Sequence, residues 1–188
     1  FVQALRLDSK MGKAHYNLGV ALAALKRPDL AEREYRLAID CKLDRPLRPL
    51  ALNNLAALLN DSNRPAEALP YLEEALRLKP DHVGAYDNQG NALVRLGRSA
   101  EAVESFQKAL HLRPGYPNSL NNLGGAYFQL GRLAEAEAMF RQALTVQPHN
   151  AQAWANLGLI KMKNSDNEQA ADCFSKAVQL MPENWLAR

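Results

Sequence analysis

A three-residue segment recurs at a nearly constant interval along this chain of 188 residues. Its first residue is asparagine and its third is glycine or alanine, and successive copies are 37, 34, 34 and 34 residues apart. The copies are Asn17-Leu18-Gly19, Asn54-Leu55-Ala56, Asn88-Gln89-Gly90, Asn122-Leu123-Gly124 and Asn156-Leu157-Gly158. A fixed period of this length predicts an array of repeated units, in which each unit buries its apolar face against its neighbours.

Each copy is followed by a pattern of a small, a bulky and a small residue, spaced four and then three residues apart. The positions are Ala31, Tyr35 and Ala38; Ala68, Leu72 and Ala75; Ala102, Phe106 and Ala109; Ala136, Phe140 and Ala143; and Ala170, Phe174 and Ala177. These intervals place side chains on one face of a helix. Alanine and leucine make up 61 of the 188 residues, whereas valine, isoleucine and threonine total ten. That composition favours helices over sheets, so the chain is predicted to be all-α.

Within each unit the pattern predicts two helices joined by a tight turn. The first helix carries the asparagine segment, and we expect its small third residue to let a neighbouring helix backbone approach closely. Gly97 and Gly131 stand where a helix must end, so a positive φ is predicted for both. The second helix is followed by a proline in four units: Pro80, Pro114, Pro148 and Pro182.

These motifs resemble the tetratricopeptide repeat, a helix–turn–helix unit of about 34 residues. The resemblance covers nearly the whole chain and implies a right-handed superhelical solenoid of antiparallel helix pairs. Five repeats are predicted, at residues 12–48, 49–82, 83–116, 117–150 and 151–184, the first with three extra residues around Asp44-Arg45-Pro46. Residues 1–11 fit the end of the second helix of a truncated repeat, and residues 185–188 fit the start of another. We therefore expect the native array to be longer.

Catalysis, metal binding and cofactor binding are not indicated by any motif. The four histidines show no zinc-ligand spacing, and no glycine-rich phosphate loop occurs. Cys41 and Cys173 match no disulfide framework or redox motif, so an intracellular, cytoplasmic location is expected. With 23 basic and 20 acidic residues the charge is too balanced to indicate nucleic acid. The longest apolar run, Val20 to Leu25, is too short to span a bilayer, so no membrane insertion is expected.

The asparagine that opens each segment is the main candidate for a functional residue. Asparagine is poor inside a helix because its side chain competes for backbone hydrogen bonds, so helix propensity does not explain five copies. First helices line the concave face of such an array, and there these asparagines should form a row of primary amides. A primary amide matches the N–H and C=O groups of an extended peptide backbone, because it both donates and accepts. The predicted peptide-binding residues are Asn17, Asn54, Asn88, Asn122 and Asn156, flanked by Asn53, Asn91 and Asn121 and by Tyr16, Asp87 and Phe128.

The same row has a structural interpretation, in which each asparagine bonds a neighbouring helix and fixes the packing of the repeats. The two roles are compatible. Five hydrogen bonds of about 0.5–1.5 kcal/mol each would give weak to moderate peptide affinity once ordering costs are subtracted. Because the groove residues are mostly neutral, a strongly charged ligand is not expected.

Two kinds of tetratricopeptide array share parts of this pattern. The uninterrupted asparagine row is similar to the arrays of O-linked N-acetylglucosamine transferases, whose groove is implicated in holding protein substrates. The carboxylate clamp of chaperone-binding arrays is matched at Lys13, Asn17 and Asn54. Gly84 and Asn88 stand where the third repeat of that clamp has two basic residues, so the clamp is disfavoured.

A row of arginines also marks the turns, at Arg27, Arg64, Arg98 and Arg132, with Asp166 in the fifth turn. One interpretation is a docking edge for an acidic partner. Acidic residues follow within three positions, however, so we expect a solvated edge of locally paired charges.

The sequence thus predicts a non-catalytic scaffold that binds a protein partner or an extended peptide in its concave groove. One alternative is the substrate-recognition arm of a larger enzyme, such as a glycosyltransferase similar to the O-linked N-acetylglucosamine transferases. Another is self-assembly, through the repeat ends or the convex face. No nucleic-acid partner is expected.

Overall fold

The computed structural model describes residues 2–41 and 43–181, with side chains described from residue 10 onward. This part of the chain folds into ten helices and contains no strand. The helices are α1 (Val2–Ala24), α2 (Pro28–Asp40), α3 (Arg48–Asp61), α4 (Pro65–Leu78), α5 (Val83–Arg95), α6 (Ser99–Leu112), α7 (Pro117–Gln129), α8 (Leu133–Val146), α9 (Ala151–Lys163) and α10 (Asn167–Leu180). Pro182 and the predicted start of a further repeat, residues 185–188, lie outside the described residues.

The chain divides into two compact units between Leu96 and Gly97. In unit 1, α1 packs on α2, α3 packs on α4, and α5 packs on both α3 and α4. In unit 2, α6 packs on α7, α7 on α8, and α9 on both α8 and α10. The predicted all-α fold of paired helices is confirmed. The boundary between the units falls inside the predicted repeat 83–116, between α5 and α6.

The glycine of the asparagine segment makes room for a ring on the second helix of its repeat, which corrects the expectation of a close helix backbone. A Cβ atom added to this glycine would lie under 3.0 Å from that ring in three repeats. The pairs are Gly19 with Tyr35 at 2.7 Å, Gly124 with Phe140 at 2.6 Å and Gly158 with Phe174 at 2.9 Å. In the second repeat Ala56 replaces the glycine and Leu72 the ring, and both are completely buried in one cluster. The larger the partner, the smaller the residue that faces it.

Each turn between the helices of a repeat contains one residue with a positive φ. The prediction is confirmed at Gly97 and Gly131, whose φ angles are 75° and 73°. The equivalent residues of the other repeats are Lys26, Asn63 and Ser165, with φ angles of 56°, 58° and 62°. The turn conformation is therefore shared even where glycine is absent.

The first helix differs from the predicted repeat plan. α1 is a single helix of 23 residues, so the predicted boundary between residues 11 and 12 lies inside a helix rather than at a turn. The assignment of residues 1–11 to a truncated repeat stays a prediction. On this helix Leu18 is 48% exposed, whereas its counterpart Leu55 in α3 is completely buried.

The three extra residues near Asp44 form a turn between α2 and α3. The backbone N–H groups of Leu47 and Arg48 both donate to the carbonyl oxygen of Asp44 over 3.0 Å. Leu43, which stands where the other repeats have proline, is buried and packs with Ala38 and Ala51. Leu43, at the position of the usual proline, thus adds an apolar contact between α2 and α3.

Candidate peptide-binding face of the first helices

The predicted asparagine row lies on helices that contact each other within each unit. In unit 1 α3 packs against α5, and in unit 2 α7 packs against α9. Four members of the row, Asn54, Asn88, Asn122 and Asn156, are half-buried, and so are Asn53, Asn91 and Asn121. Asn17 is exposed on α1.

In unit 1 the amides form a chain of hydrogen bonds from one repeat to the next. Asn88 Nδ2 donates to Asn53 Oδ1 over 2.9 Å, and Asn53 Nδ2 donates to Asn54 Oδ1 over a long 3.4 Å. Asn54 also hydrogen-bonds the hydroxyl of Tyr35. Burial raises the pKa of Tyr35, and the bond to Asn54 only partly opposes this shift, so the phenol stays neutral.

Unit 2 repeats this register. Asn156 Nδ2 donates to Asn121 Oδ1 over 3.2 Å, just as Asn88 does to Asn53. Gln152 Nε2, one turn earlier on α9, donates to Asn156 Oδ1 over 3.2 Å. In both units, an asparagine of the row bonds the residue that precedes the row in the previous repeat. The packing role of the row is therefore visible directly.

A cavity of about 320 Å³ opens beside this chain of amides in unit 1. It lies between α3 and α5 and is lined by Ala57, Asn60, Asp61, Asn88, Asn91, Val94 and Arg95. Asn60 was not identified from the sequence as a candidate. Its signal was nevertheless present, because the equivalent residues of the other repeats are all apolar: Ala23, Val94, Phe128 and Met162.

The predicted flanking residues differ in how far they face solvent. Asp87 is only 7% exposed and accepts a long, 3.4 Å hydrogen bond from Asn91 Nδ2, so it helps to orient Asn91 and is itself largely closed to a ligand. Tyr16 is half-buried, with its ring centroid 6.2 Å from that of Tyr35. Phe128 is also half-buried, and the ammonium of Lys163 lies 4.9 Å from the centre of its ring.

Three of the four turn arginines have the local acidic partners predicted from the sequence. Arg64, Arg98 and Arg132 each bond the glutamate three residues later, with distances of 2.7 Å for Arg64–Glu67 and Arg98–Glu101. These hydrogen bonds lower the pKa of Glu67, Glu101 and Glu135. Asp166 replaces arginine at the start of α10, where its carboxylate accepts from the backbone N–H of Gln169 over 3.2 Å and caps the helix.

A larger cavity, of about 470 Å³, lies in unit 2 between α8, α9 and α10. Its lining includes Arg141, Lys161 and Lys176 around the ring of Trp154. Glu137 pairs with both Arg141 and Lys161 over 2.8 Å, and the hydrogen bond from Lys161 is the main reason its pKa is lowered. Two of the three cations are therefore paired with Glu137, and the cavity does not lie on the asparagine row.

Among the described side chains, those of residues 10–41 and 43–181, no three histidine, cysteine, aspartate or glutamate groups come together as metal ligands would. Within residues 2–41 and 43–181, none of the helices has the length and apolar character needed to cross a membrane.

The family is established by sequence models. One model of the tetratricopeptide repeat matches residues 53–117, 88–145 and 121–185, and a second matches residues 10–81. Together they cover nearly the whole chain, which therefore belongs to the tetratricopeptide repeat family. This agrees with the paired helices and with the Gly–aromatic contacts described above.

Individual relatives are more distant. The protein O-mannosyl-transferase Tmtc3 of Drosophila melanogaster is 38% identical over 81 residues, which are 43% of this chain and 8% of that protein. The structure of PilF from Pseudomonas aeruginosa has a TM-score of 0.79 at 20% identity, covering 94% of this chain and 79% of PilF. YrrB, described as a TPR protein with an unusual peptide-binding site, has a TM-score of 0.70 at 21% identity, covering 100% of this chain and 95% of YrrB. These two structures show that the fold is that of tetratricopeptide solenoids.

Proposed function

We propose that this chain is a non-catalytic scaffold that holds an extended peptide segment of a partner protein against its first helices. The asparagine row supplies the contacts, and the flanking side chains set the selectivity. Tetratricopeptide arrays act generally in protein–protein interaction, which supports the scaffold role.

The main support is that the hydrogen bonds between helices use only some of the donors and acceptors of the asparagine amides. A primary amide has two N–H donors and an oxygen that accepts two bonds. The bond to Asn53 uses one donor of Asn88, and the bond to Asn121 uses one donor of Asn156. Both residues are half-buried, the two bonds hold their amides in a fixed orientation, and each amide keeps a second N–H. Fixed donors and acceptors reduce the ordering cost of binding.

The proposal is tested by peptide binding to the double variant Asn88→Ala, Asn122→Ala. An array of unrelated ten-residue peptides identifies binders, and their affinities are then measured by fluorescence anisotropy. Loss of two hydrogen bonds of about 0.5–1.5 kcal/mol each should weaken binding by roughly five- to hundredfold.

A matched control is available on the same protein. Asn118 in α7 and Asn167 in α10 are exposed asparagines outside the row, and their double alanine variant should bind as the wild type does. Far-ultraviolet circular dichroism verifies that both variants are folded. Equal affinities for the two double variants would contradict the proposal.

A second candidate function follows from the similarity to Tmtc3, which is named as an O-mannosyl-transferase. In that case the same face would select acceptor proteins for a glycosyltransferase of which this chain is one part. The discriminating experiment compares the full-length gene product with a version lacking this array, and identifies the glycosylated proteins by mass spectrometry. An altered set of acceptors supports this reading, and the absence of any transfer activity excludes it.

A further inference from the structure

Lys161 occupies an apolar position of the repeat. Counted from the asparagine row, the same position in the other four repeats holds Leu22, Leu59, Leu93 and Tyr127. The side chain of Lys161 is 13% exposed, and its ammonium donates to Glu137 Oε1 over 2.8 Å. Replacing a buried ion pair by well-packed apolar residues often keeps or raises stability, because both charges lose hydration when they are buried. The packing of the repeat therefore does not explain a lysine here.

Glu137 does not neutralise all the positive charge around it. Its Oε1 accepts from Lys161 Nζ over 2.8 Å and from Nε and Nη2 of Arg141 over 3.0 and 2.8 Å. One carboxylate thus serves two cations, which leaves an excess positive charge on the three groups. The Arg141 side chain is 61% exposed, and its Nη1 makes no hydrogen bond to the described residues. Arg141 therefore keeps donors for a ligand.

Lys176 adds a cation that has no carboxylate partner. Its ammonium lies 4.4 Å from the centre of the Trp154 ring, which attracts it through the aromatic face. It forms no ion pair among the described residues, although Asp172 lies one turn earlier on α10. Because Lys176 is an exposed residue, its ammonium is available to an anion from solvent.

All three cations line the cavity of about 470 Å³ between α8, α9 and α10. Their convergence is visible at Cys173 on the cavity wall. Burial raises the pKa of this thiol, while the charges of the three cations all act to lower it and that of Asp172 acts to raise it. The apolar part of the wall consists of Leu144, Leu157 and the Trp154 ring. A ligand that suits this lining carries one negative charge beside an apolar group.

We propose that this cavity is a second docking site, which takes an acidic side chain of a partner protein together with the apolar side chain next to it. The carboxylate accepts from Lys176 and from Nη1 of Arg141, and the apolar side chain packs on the apolar wall. A single carboxylate suits the site better than a phosphate group, because Asp172 repels a second negative charge. The site is separate from the asparagine row and does not depend on it: the row binds a neutral backbone, and this cavity selects a charge.

The test uses a blocked tripeptide, leucine–glutamate–leucine, and three relatives in which the glutamate becomes glutamine or lysine, or both leucines become alanine. Inorganic phosphate is the fifth probe. Binding is followed by the indole N–H signal of Trp154 in ¹H–¹⁵N spectra, and the variant Trp185→Phe assigns it, since the chain has two tryptophans. The glutamate peptide should bind at least fivefold more tightly than each other probe, because it alone meets both the cations and the apolar wall.

The matched variants are Lys176→Gln and Lys108→Gln, which each remove an exposed lysine from the same position of a second helix in unit 2. Lys108 lies on α6 and does not line the cavity. Lys176→Gln should weaken binding of the glutamate peptide at least fivefold and leave that of the glutamine peptide unchanged. Lys108→Gln should change neither, and far-ultraviolet circular dichroism verifies that both variants are folded.

The inference is overturned if any other probe binds as tightly as the glutamate peptide, or if Lys176→Gln keeps the full preference for glutamate over glutamine. The probe ranking on the wild-type protein decides the matter even if a variant fails to fold. Failure of the asparagine row looks different. The variant Asn88→Ala, Asn122→Ala should still bind the glutamate peptide at Trp154 as the wild type does.

Discussion

Units 1 and 2 are built from the same repeat but fill its shared positions with different residues. A small residue faces a bulky one as Gly19 and Tyr35 and as Ala56 and Leu72 in unit 1, and as Gly124 and Phe140 in unit 2. The positive-φ turn position holds Lys26 and Asn63 in unit 1, whereas unit 2 has glycine there twice. The comparison teaches that a repeat position specifies a volume or a backbone conformation, and that several residues meet each requirement.

The side chain that caps the N-terminus of a first helix also differs between the units. In unit 1 the ring of His82 accepts from the backbone N–H of Ala85 over 3.2 Å, and in unit 2 the side chain of Asn150 accepts from Ala153 over 3.0 Å. Both provide the acceptor that a helix N-terminus needs. Only the histidine solution responds to pH.

The largest expected effect comes from breaking the volume rule in unit 2. Gly124→Ala places a Cβ 2.6 Å from the Phe140 ring, so the free energy of unfolding should fall by about 1–3 kcal/mol in urea titrations. The neighbouring Gly125→Ala is the control, because a Cβ there meets no atom within 4 Å. That variant should gain about 0.5–1 kcal/mol from helix propensity.

The alanine–leucine pair of the second repeat, Ala56 and Leu72, should rescue this variant. Adding Phe140→Leu to Gly124→Ala recreates the alanine–leucine pair and should recover at least half of the lost stability. Phe140→Leu alone leaves a void and is itself destabilising. If the double variant loses the sum of the two single losses, the volumes of the two positions are not coupled and the rule is wrong.

A smaller effect is expected at the turns. Gly131→Ala should cost about 1–2 kcal/mol, because a residue with a Cβ is strained at positive φ. Conversely, Lys26→Gly and Ser165→Gly should each stabilise by about 0.5–1 kcal/mol as that strain is removed. Asn63→Gly should change stability least, since asparagine tolerates this conformation. Thermal unfolding of the four variants provides the order, and a stabilised Gly131→Ala would contradict the account.

The smallest effect is a pH dependence confined to His82. Burial, helped by the charge of Lys79, lowers the pKa of His82, and the nearby Asp81 opposes the shift only in part. The unfolded chain therefore takes up a proton as the pH falls through about 6.5 while the folded protein does not. The contribution of this cap to stability is complete above that pH and is lost as the pH falls towards the folded pKa.

The variant His82→Asn isolates this contribution, because asparagine, which caps the equivalent helix of unit 2 as Asn150, does not titrate. Between pH 7.5 and pH 5.5 the wild type should lose up to about 1 kcal/mol more stability than the variant, the usual worth of one helix cap. Parallel unfolding curves for the two proteins across this range would show that His82 does not titrate on unfolding.

Sequence periodicity predicted the helices and their pairing because both depend on local spacing and on residues that recur in every copy. It did not predict that Gly124 faces a ring, because that requires the distance between two helices. The positive φ angles of Lys26 and Ser165 were not predictable either, because the neighbouring helices impose this turn conformation and the residue type does not indicate it. A positive φ was predicted from the sequence only where the residue is glycine, at Gly97 and Gly131.

The candidate site was predicted in part. The asparagine row was visible as a repeated letter, but its bonds from Asn88 to Asn53 and from Asn156 to Asn121 depend on the register between stacked helices. Asn60 occurs once, so repetition does not mark it. Its signal is that it is polar where the equivalent residues of the other repeats are apolar.

The central claim is that the first helices bind an extended peptide through their asparagine amides. The most direct measurement is a ¹H–¹⁵N spectrum of the side-chain amides, recorded with and without a peptide selected from the array. The account predicts that the signals of Asn88 and Asn156 shift along a binding curve whose midpoint is the Kd of the peptide, while those of the exposed Asn118 and Asn167 stay in place. Shifts confined to the second helices, with Asn88 and Asn156 unmoved, would contradict it.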